Sequence, residues 1–240
     1  MTRQNFYSWV LKCKHQNLLK LKYQLVITQS VVLQFQKNLG VWIDTSLTLE
    51  HQVHQVCKSA FKQIFMIYKI RPLITQSAAQ TLVQALVTSK LDYGNALYFG
   101  ISKSLIHKMQ LVQNAAARLV CGIRKYDHIT EVLKTLHWLP IQQRIEYKII
   151  LLCFKALHGL APEYISDLLQ LHRPARPARS NLLNLLVVPK TRCKTFGDCA
   201  FSTVAPRLWN SLPAKLRAQN SINVFKKNLK THLIRQAYHS

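Results

Sequence analysis

The stretch LEHQVHQVCKSAFKQIFMIYKIRP, residues 49–72, decides the fold class. In it Val53, Val56, Ala60, Ile64 and Ile67 recur at steps of three and four, the spacing that places side chains on one face of a helix. Arg71-Pro72 closes the run, because proline disfavours helical geometry in the residue before it. Working outward, the same period returns several times. A helix is expected from Gln76 to Lys90, with Thr75 as its N-cap and Ala79, Leu82, Val83, Leu86 and Val87 turned inward. Asp92-Tyr93-Gly94-Asn95 then reads as a turn. The next helix, from Ser104 to Val120, carries Ile106, Met109, Val112, Ala116, Leu119 and Val120 on one stripe, with Gly122 suited to a left-handed C-terminal cap. A short helix from Thr130 to Leu136, a long one from Ile141 to His158 stopped by Gly159, and a short one from Pro162 to Leu169 complete a helical middle. Upstream the signals are mixed: Phe6, Trp9 and Val10 suit the start of an amphipathic helix, whereas residues 24–35 are β-prone. The expected class is mainly α.

Composition changes at Arg173. Arg173-Pro174-Ala175-Arg176-Pro177-Ala178-Arg179 cannot propagate a helix and reads as an exposed basic linker. Beyond it Leu185 to Pro189 has the composition of one short strand, and Phe196 to Leu216 reads as short helices broken at Pro206 and Pro213. The final helix begins after Ser221, with Ile222, Phe225, Leu229 and Leu233 on one side and Lys226, Lys227, Lys230 and Arg235 around the other. Three segments follow: 1–35, a helical bundle over 36–170, and a basic, less regular segment over 171–240 that ends in an amphipathic helix.

The apolar share of 49% is enough for a true core, so disorder is not expected. The net charge of +24 calls for a polyanionic partner. Residues 173–240 hold thirteen Lys and Arg against the single acid Asp198, which puts half of that charge in the last segment. Nucleic acid leads; an anionic membrane surface is the competing polyanion, but no apolar run reaches the length of a spanning helix. No secretory signal precedes Lys12 and Lys14, so the expected location is intracellular, nuclear or cytoplasmic. The six cysteines, Cys13, Cys57, Cys121, Cys153, Cys193 and Cys199, are too sparse for a disulfide scaffold and read as reduced thiols. Cys121 and Cys153, in apolar helical stretches, read as packing.

Chemistry-bearing patterns are few. His51, His54 and Cys57 share a helix face, but the first and third are two turns apart and lack a fourth ligand, so no metal is expected there. Cys193 and Cys199 lack the close spacing of a zinc knuckle. Asp92 reads as a turn residue making local hydrogen bonds. Trp138 and Trp209 could stack bases, but each is flanked by Leu and Pro, which favours packing. No phosphate-cradling loop or nucleophile elbow is present, and neither cofactor nor catalytic residue is assigned.

A series of blocks in fixed order resembles LINE-type (non-LTR) retrotransposon reverse transcriptases, closest to the chicken-repeat and jockey-like elements. The blocks begin at Lys37-Asn38-Leu39-Gly40-Val41 with Asp44, Leu47, Leu49 and His51. They continue through Ser89-Lys90-Leu91-Asp92-Tyr93-Gly94-Asn95, Leu111-Val112-Gln113-Asn114-Ala115-Ala116-Ala117-Arg118, and His128-Ile129-Thr130 to Leu136-His137-Trp138-Leu139-Pro140. Gly159-Leu160-Ala161-Pro162-Glu163-Tyr164-Ile165, Lys194-Thr195-Phe196-Gly197, Pro206-Arg207-Leu208-Trp209-Asn210-Ser211-Leu212-Pro213 and the stretch from Val224 to Leu233 follow. The resemblance covers about residues 35–238 and implies the region after the polymerase palm: a primer-grip segment, a thumb-like bundle and a C-terminal segment. It departs from the family at Gly94, where Cys is frequent, and in lacking the paired palm carboxylates that hold two Mg²⁺ ions. The chain is therefore expected not to be an enzyme as it stands. Together with the charge, the resemblance implies binding of RNA or an RNA–DNA duplex through phosphates, with Lys190, Arg192, Lys194, Arg207, Lys226, Lys227 and Lys230 as the contacts. A non-functional transposon remnant and a repurposed protein-interaction module are the alternatives.

Overall fold

The computed structural model of the chain describes residues 35–124, 126–172, 184–191 and 197–238. The helix start at Phe6, the β-prone residues 24–34, the Arg173 to Arg179 linker, Cys13 and Cys193 lie outside them. The described chain is mainly helical, with one two-stranded antiparallel sheet. It falls into two compact units, one of residues 35–145 with 230–238 and one of residues 146–229. The change between them lies at 145/146, whereas the shift in composition lies near 171.

The first unit opens on a hairpin of β1 (Phe35–Asn38) and β2 (Val41–Asp44), in which Asn38 faces Val41 and Phe35 faces Asp44. Its two-residue loop is Leu39-Gly40, both at positive φ (46° and 86°), the geometry whose twist matches that of the strands it joins. Glycine adopts it freely, leucine at a cost, and the Tyr93 hydroxyl holds the loop by donating to the Leu39 carbonyl at 2.6 Å.

Helix α1 (Glu50–Ile70) buries Val53, Cys57, Ala60 and Ile67. Val56 and Ile64, expected inside, are only half-buried, and Gln52 takes an inner place instead. Gln52 can do so because its amide is satisfied: it accepts from Trp42 N–H at 2.9 Å and donates to the Tyr98 hydroxyl at 3.3 Å. The helix ends in a 3₁₀ turn at Arg71–Leu73.

Thr75 caps α2 (Gln76–Val83) by accepting from Ala78 N–H. The expected single helix to Lys90 is interrupted by a π-turn, Gln84–Thr88, before α3 (Ser89–Asp92). The wider turn rotates the face, which leaves Leu86 exposed and keeps Val87 and Leu91 buried. Helix α4 (Lys103–Cys121) starts at a Ser102 cap and ends at Gly122 in the left-handed region, as the glycine predicts.

The carbonyls at that helix end are gathered by one side chain. Arg71 Nε and Nη2 donate to Leu119 and Val120 at 3.0 and 3.1 Å, and Nη1 to Ile74 at 3.1 Å. A guanidinium at a helix C-terminus satisfies orphan carbonyls and complements the dipole. Arg71→Ala is expected to cost about 2 kcal/mol, the range of charged hydrogen bonds, read as a lower urea midpoint. Arg71→Lys should recover less than half, because an ammonium cannot span three carbonyls as the fork does.

Helix α5 (Ile129–Thr135) ends at His137, at φ 52°, with His137 N–H to Lys134 O and Trp138 N–H to Leu133 O, both 2.9 Å. This paired bonding is the glycine-type helix stop with a histidine in the glycine position. It turns the chain so that Trp138 and Leu139 are buried before α6 (Ile141–Leu157) begins.

In the second unit, Ile149, Ile150, Cys153 and Phe154 of α6 line the core, followed by α7 (Glu163–Ser166), shorter than the helix expected over 162–169. The strand expected from Leu185 to Pro189 is a single bridge, Leu171 to Leu186. Its backbone is satisfied otherwise, since the Asn210 amide accepts from Leu186 N–H at 2.9 Å and donates to Leu186 O at 2.8 Å.

Pro206 does not break a helix: α8 (Phe201–Asn210) runs through it. An interior proline costs about 3 kcal/mol, but every residue from Phe201 to Pro206 is buried, and that packing holds the helix together. Pro213 does separate α8 from α9 (Ala214–Arg217). Helix α10 (Ile222–Tyr238) begins after Ser221 as read.

Candidate nucleic-acid interface

The geometry of α10 follows from its period. Phe225, Leu229 and Leu233 are buried, Ile222 is half-buried, and Lys227, Lys230 and Arg235 are exposed, with Lys226 at the border. At 3.6 residues per turn the four cations cover roughly half of the circumference. Sequence reasoning thus placed the stripe and the arc correctly, and the structure brings Lys226, Lys227 and Lys230 together on one helix. Near its end His232 is held below its ordinary pKa by burial and by Arg235, both of which disfavour its charged form.

The other expected contacts are placed apart from that helix. Lys190 is exposed in a segment without regular secondary structure, and Arg207, on α8, is exposed but paired with Asp198 at 3.1 Å. That pair uses part of the guanidinium that phosphate binding would need. Arg192 and Lys194 lie outside the described residues. Arg217 is not a surface cation at all: it is buried and donates to the Asn210 carbonyl at 2.9 Å.

Both tryptophans are packing residues. Trp209 is fully buried, its Nε1 donating to Asn184 O at 2.7 Å, beside Phe154 and Phe225. Trp138 is buried, and its carbonyl accepts from the Tyr238 hydroxyl at 2.8 Å. Neither ring face is open to a base.

Asp92 makes more than the local bonds expected of it. It forms a two-point ion pair with Arg144, Nε to Oδ1 at 2.9 Å and Nη2 to Oδ2, across 52 residues of sequence. Nothing in the local pattern signals a partner so distant.

Asp44 organises the turn into α1. It accepts from Thr48 N–H (2.9 Å), Thr48 Oγ1 (2.8 Å) and Leu49 N–H (2.8 Å), around Leu47 and Leu49 at positive φ of 54° and 57°. Burial pushes its pKa up, but these bonds outweigh burial and hold it below the ordinary 3.8. The folded state therefore binds this proton more weakly than the unfolded chain. The contribution is fully present above 3.8 and is lost as pH falls through the lower folded value. Asp44→Asn is expected to lose about 1–2 kcal/mol at neutral pH, and its gap from the parent protein in denaturant midpoint should close on acidification.

The residues of the His51, His54, Cys57 pattern go to three surroundings. His51 lies against Phe35 and Trp42 at ring distances of 4.6 and 5.2 Å, His54 lies between Glu50 and Lys108, and Cys57 is buried. Burial raises the Cys57 thiol pKa. Among the described residues no group of three His, Cys, Asp or Glu is placed to hold a metal ion. Cys57, Cys121 and Cys153 are free thiols; Cys153 is buried as expected, Cys121 only partly. No helix of the described residues is long and apolar enough to cross a membrane.

Two blocks far apart in sequence meet. Gln113 Nε2 donates to Leu139 O at 2.8 Å, and Gln110 Oε1 accepts from Ile141 N–H at 2.9 Å, so α4 caps the start of α6. These glutamines carry the register between the Gln-Asn-Ala-Ala-Ala block and the Trp-Leu-Pro block. Comparison with known proteins found no matching family model, no matching curated protein and no matching solved structure.

One group of side chains was missed by reasoning from the tail alone. The outer face of α1 carries Lys58, Phe61, Lys62, Phe65 and Lys69, all exposed. Its signal was in the sequence, because no acid occurs between Glu50 and Asp92.

Proposed function

We propose that this chain is a mainly helical nucleic-acid-binding module that engages phosphates through the basic face of α10. More particularly, we propose that it corresponds to the thumb and C-terminal region of a non-LTR retrotransposon reverse transcriptase, binding RNA or an RNA–DNA duplex without catalysing by itself. The observation that carries the reading is the pairing, on one helix, of a buried stripe with an arc of exposed Lys227, Lys230 and Arg235 and half-buried Lys226. A solvated surface helix ordinarily mixes both signs, whereas α10 has no acid at all. Cations confined to one half of a helix over several turns suit a regular polyanion better than scattered ones, because each phosphate contact releases condensed counterions.

The test is anisotropy of a labelled RNA–DNA duplex titrated with the protein over a range of salt. Log affinity should fall linearly with log salt, at about 0.9 per phosphate contact. A salt-independent affinity would overturn the reading. Polymerisation needs carboxylates that converge on two metal ions, and Asp44 and Asp92 are each engaged elsewhere. Primer extension with Mg²⁺ or Mn²⁺ is therefore expected to give no product; extension that disappears in Asp44→Asn or Asp92→Asn would contradict this.

A further inference from the structure

We infer that the outer face of α1 is a second nucleic-acid surface, a stacking platform for an unpaired strand. The inference deepens the reading above and rests on the chain being a nucleic-acid binder. Lys58, Phe61, Lys62, Phe65 and Lys69 follow one another at helical spacing on a single face, opposite the buried Val53, Cys57, Ala60 and Ile67. Phe65 and Tyr68 are 57% and 66% exposed, far more than rings in a packed surface tolerate without reason. Lys69 Nζ lies 4.8 Å from the centroid of Phe65, so charge and π surface occupy one place.

Charge selects the occupant. From residue 51 to residue 91 the chain has five Lys and Arg and no acid, so a second copy of the same face would be repelled. A duplex would satisfy the lysines but leave the rings in water, since its bases are stacked inside. A single strand satisfies both: its phosphates meet the lysines, and its bases lie on rings that recur about 6 Å apart, one helical turn.

The test uses the full chain and two probes, an oligouridine of about 20 nucleotides and a duplex of equal length. Joint replacement Phe61→Leu, Phe65→Leu and Tyr68→Leu keeps apolar area and removes the π faces. It should weaken oligouridine binding about tenfold or more, leave duplex affinity within about twofold, and keep the parent salt slope. A second variant, Lys58→Gln, Lys62→Gln and Lys69→Gln, should flatten the single-strand slope by about two units. All six positions are exposed, and an unchanged melting curve checks the fold. Loss of duplex binding on changing Lys226, Lys227 and Lys230 reads the α10 surface separately, so either surface can fail alone. Unchanged oligouridine binding by the leucine variant, or an equal loss for both probes, overturns the inference. A parent protein that binds polyglutamate through this face and ignores the strand also overturns it, in favour of an acidic protein partner.

Discussion

Replacing Lys226, Lys227 and Lys230 together by alanine is expected to reduce duplex affinity alike for all sequences and to flatten the salt dependence by roughly two to three units. The size follows from counterion release, with each lost phosphate contact removing a little under one unit of slope. Sequence independence follows because phosphates carry no base identity. Alanine is a good helix former, and these side chains lie at or outside the border of the buried stripe, so the fold should persist. Affinity measured at several salt concentrations checks both parts. A triple variant with the parent slope would show that the arc does not touch phosphate.

The largest stability effect is expected at Phe225. It is fully buried and stacks on Phe154 at a centroid distance of 4.2 Å, with Trp209 at 5.9 Å. Phe225→Ala removes a ring from a three-ring cluster that cannot close around the gap, at a cost of about 3–5 kcal/mol. Against total stabilities of about 5–15 kcal/mol for a folded protein, that is roughly a fifth or more. A fall in melting temperature of about 10 °C is the expected readout. Phe225→Leu, which fills most of the space, should recover more than half. An alanine variant within 1–2 °C of the parent protein would mean that the cluster is not the centre of this core.

How much of this was legible beforehand depends on the range of the interaction. Periodicity marked α1, α4, α6 and α10, and the Thr75 and Gly122 caps, because a helix is built from contacts three and four residues apart. Two readings failed where another part of the fold intervened, and one expected helix formed with a local π-turn inside it. The continuous helix to Lys90 became a helix with a π-turn, the strand near Leu186 became one bridge beside Asn210, and Pro206 stayed inside a helix. In the last two cases a side-chain amide or tertiary packing supplied what the local pattern lacked, and the local preference was too weak to prevail.

The candidate surfaces divide along the same line. The sequence by itself determined that the chain is helical and strongly cationic, and which side of α10 carries lysine, since both depend on order and spacing alone. Only the tertiary structure decided which cations remain accessible. Arg217 is drawn inside to a carbonyl and Arg207 is shared with Asp198, while Lys58, Lys62 and Lys69 stay on the surface beside exposed rings. It also decided the Asp92 to Arg144 pair and the Arg71 grip on α4, which join residues about fifty positions apart. The physical reason is that a charge is neutralised or buried by whatever the fold brings within about 4 Å, and no local rule records that neighbour.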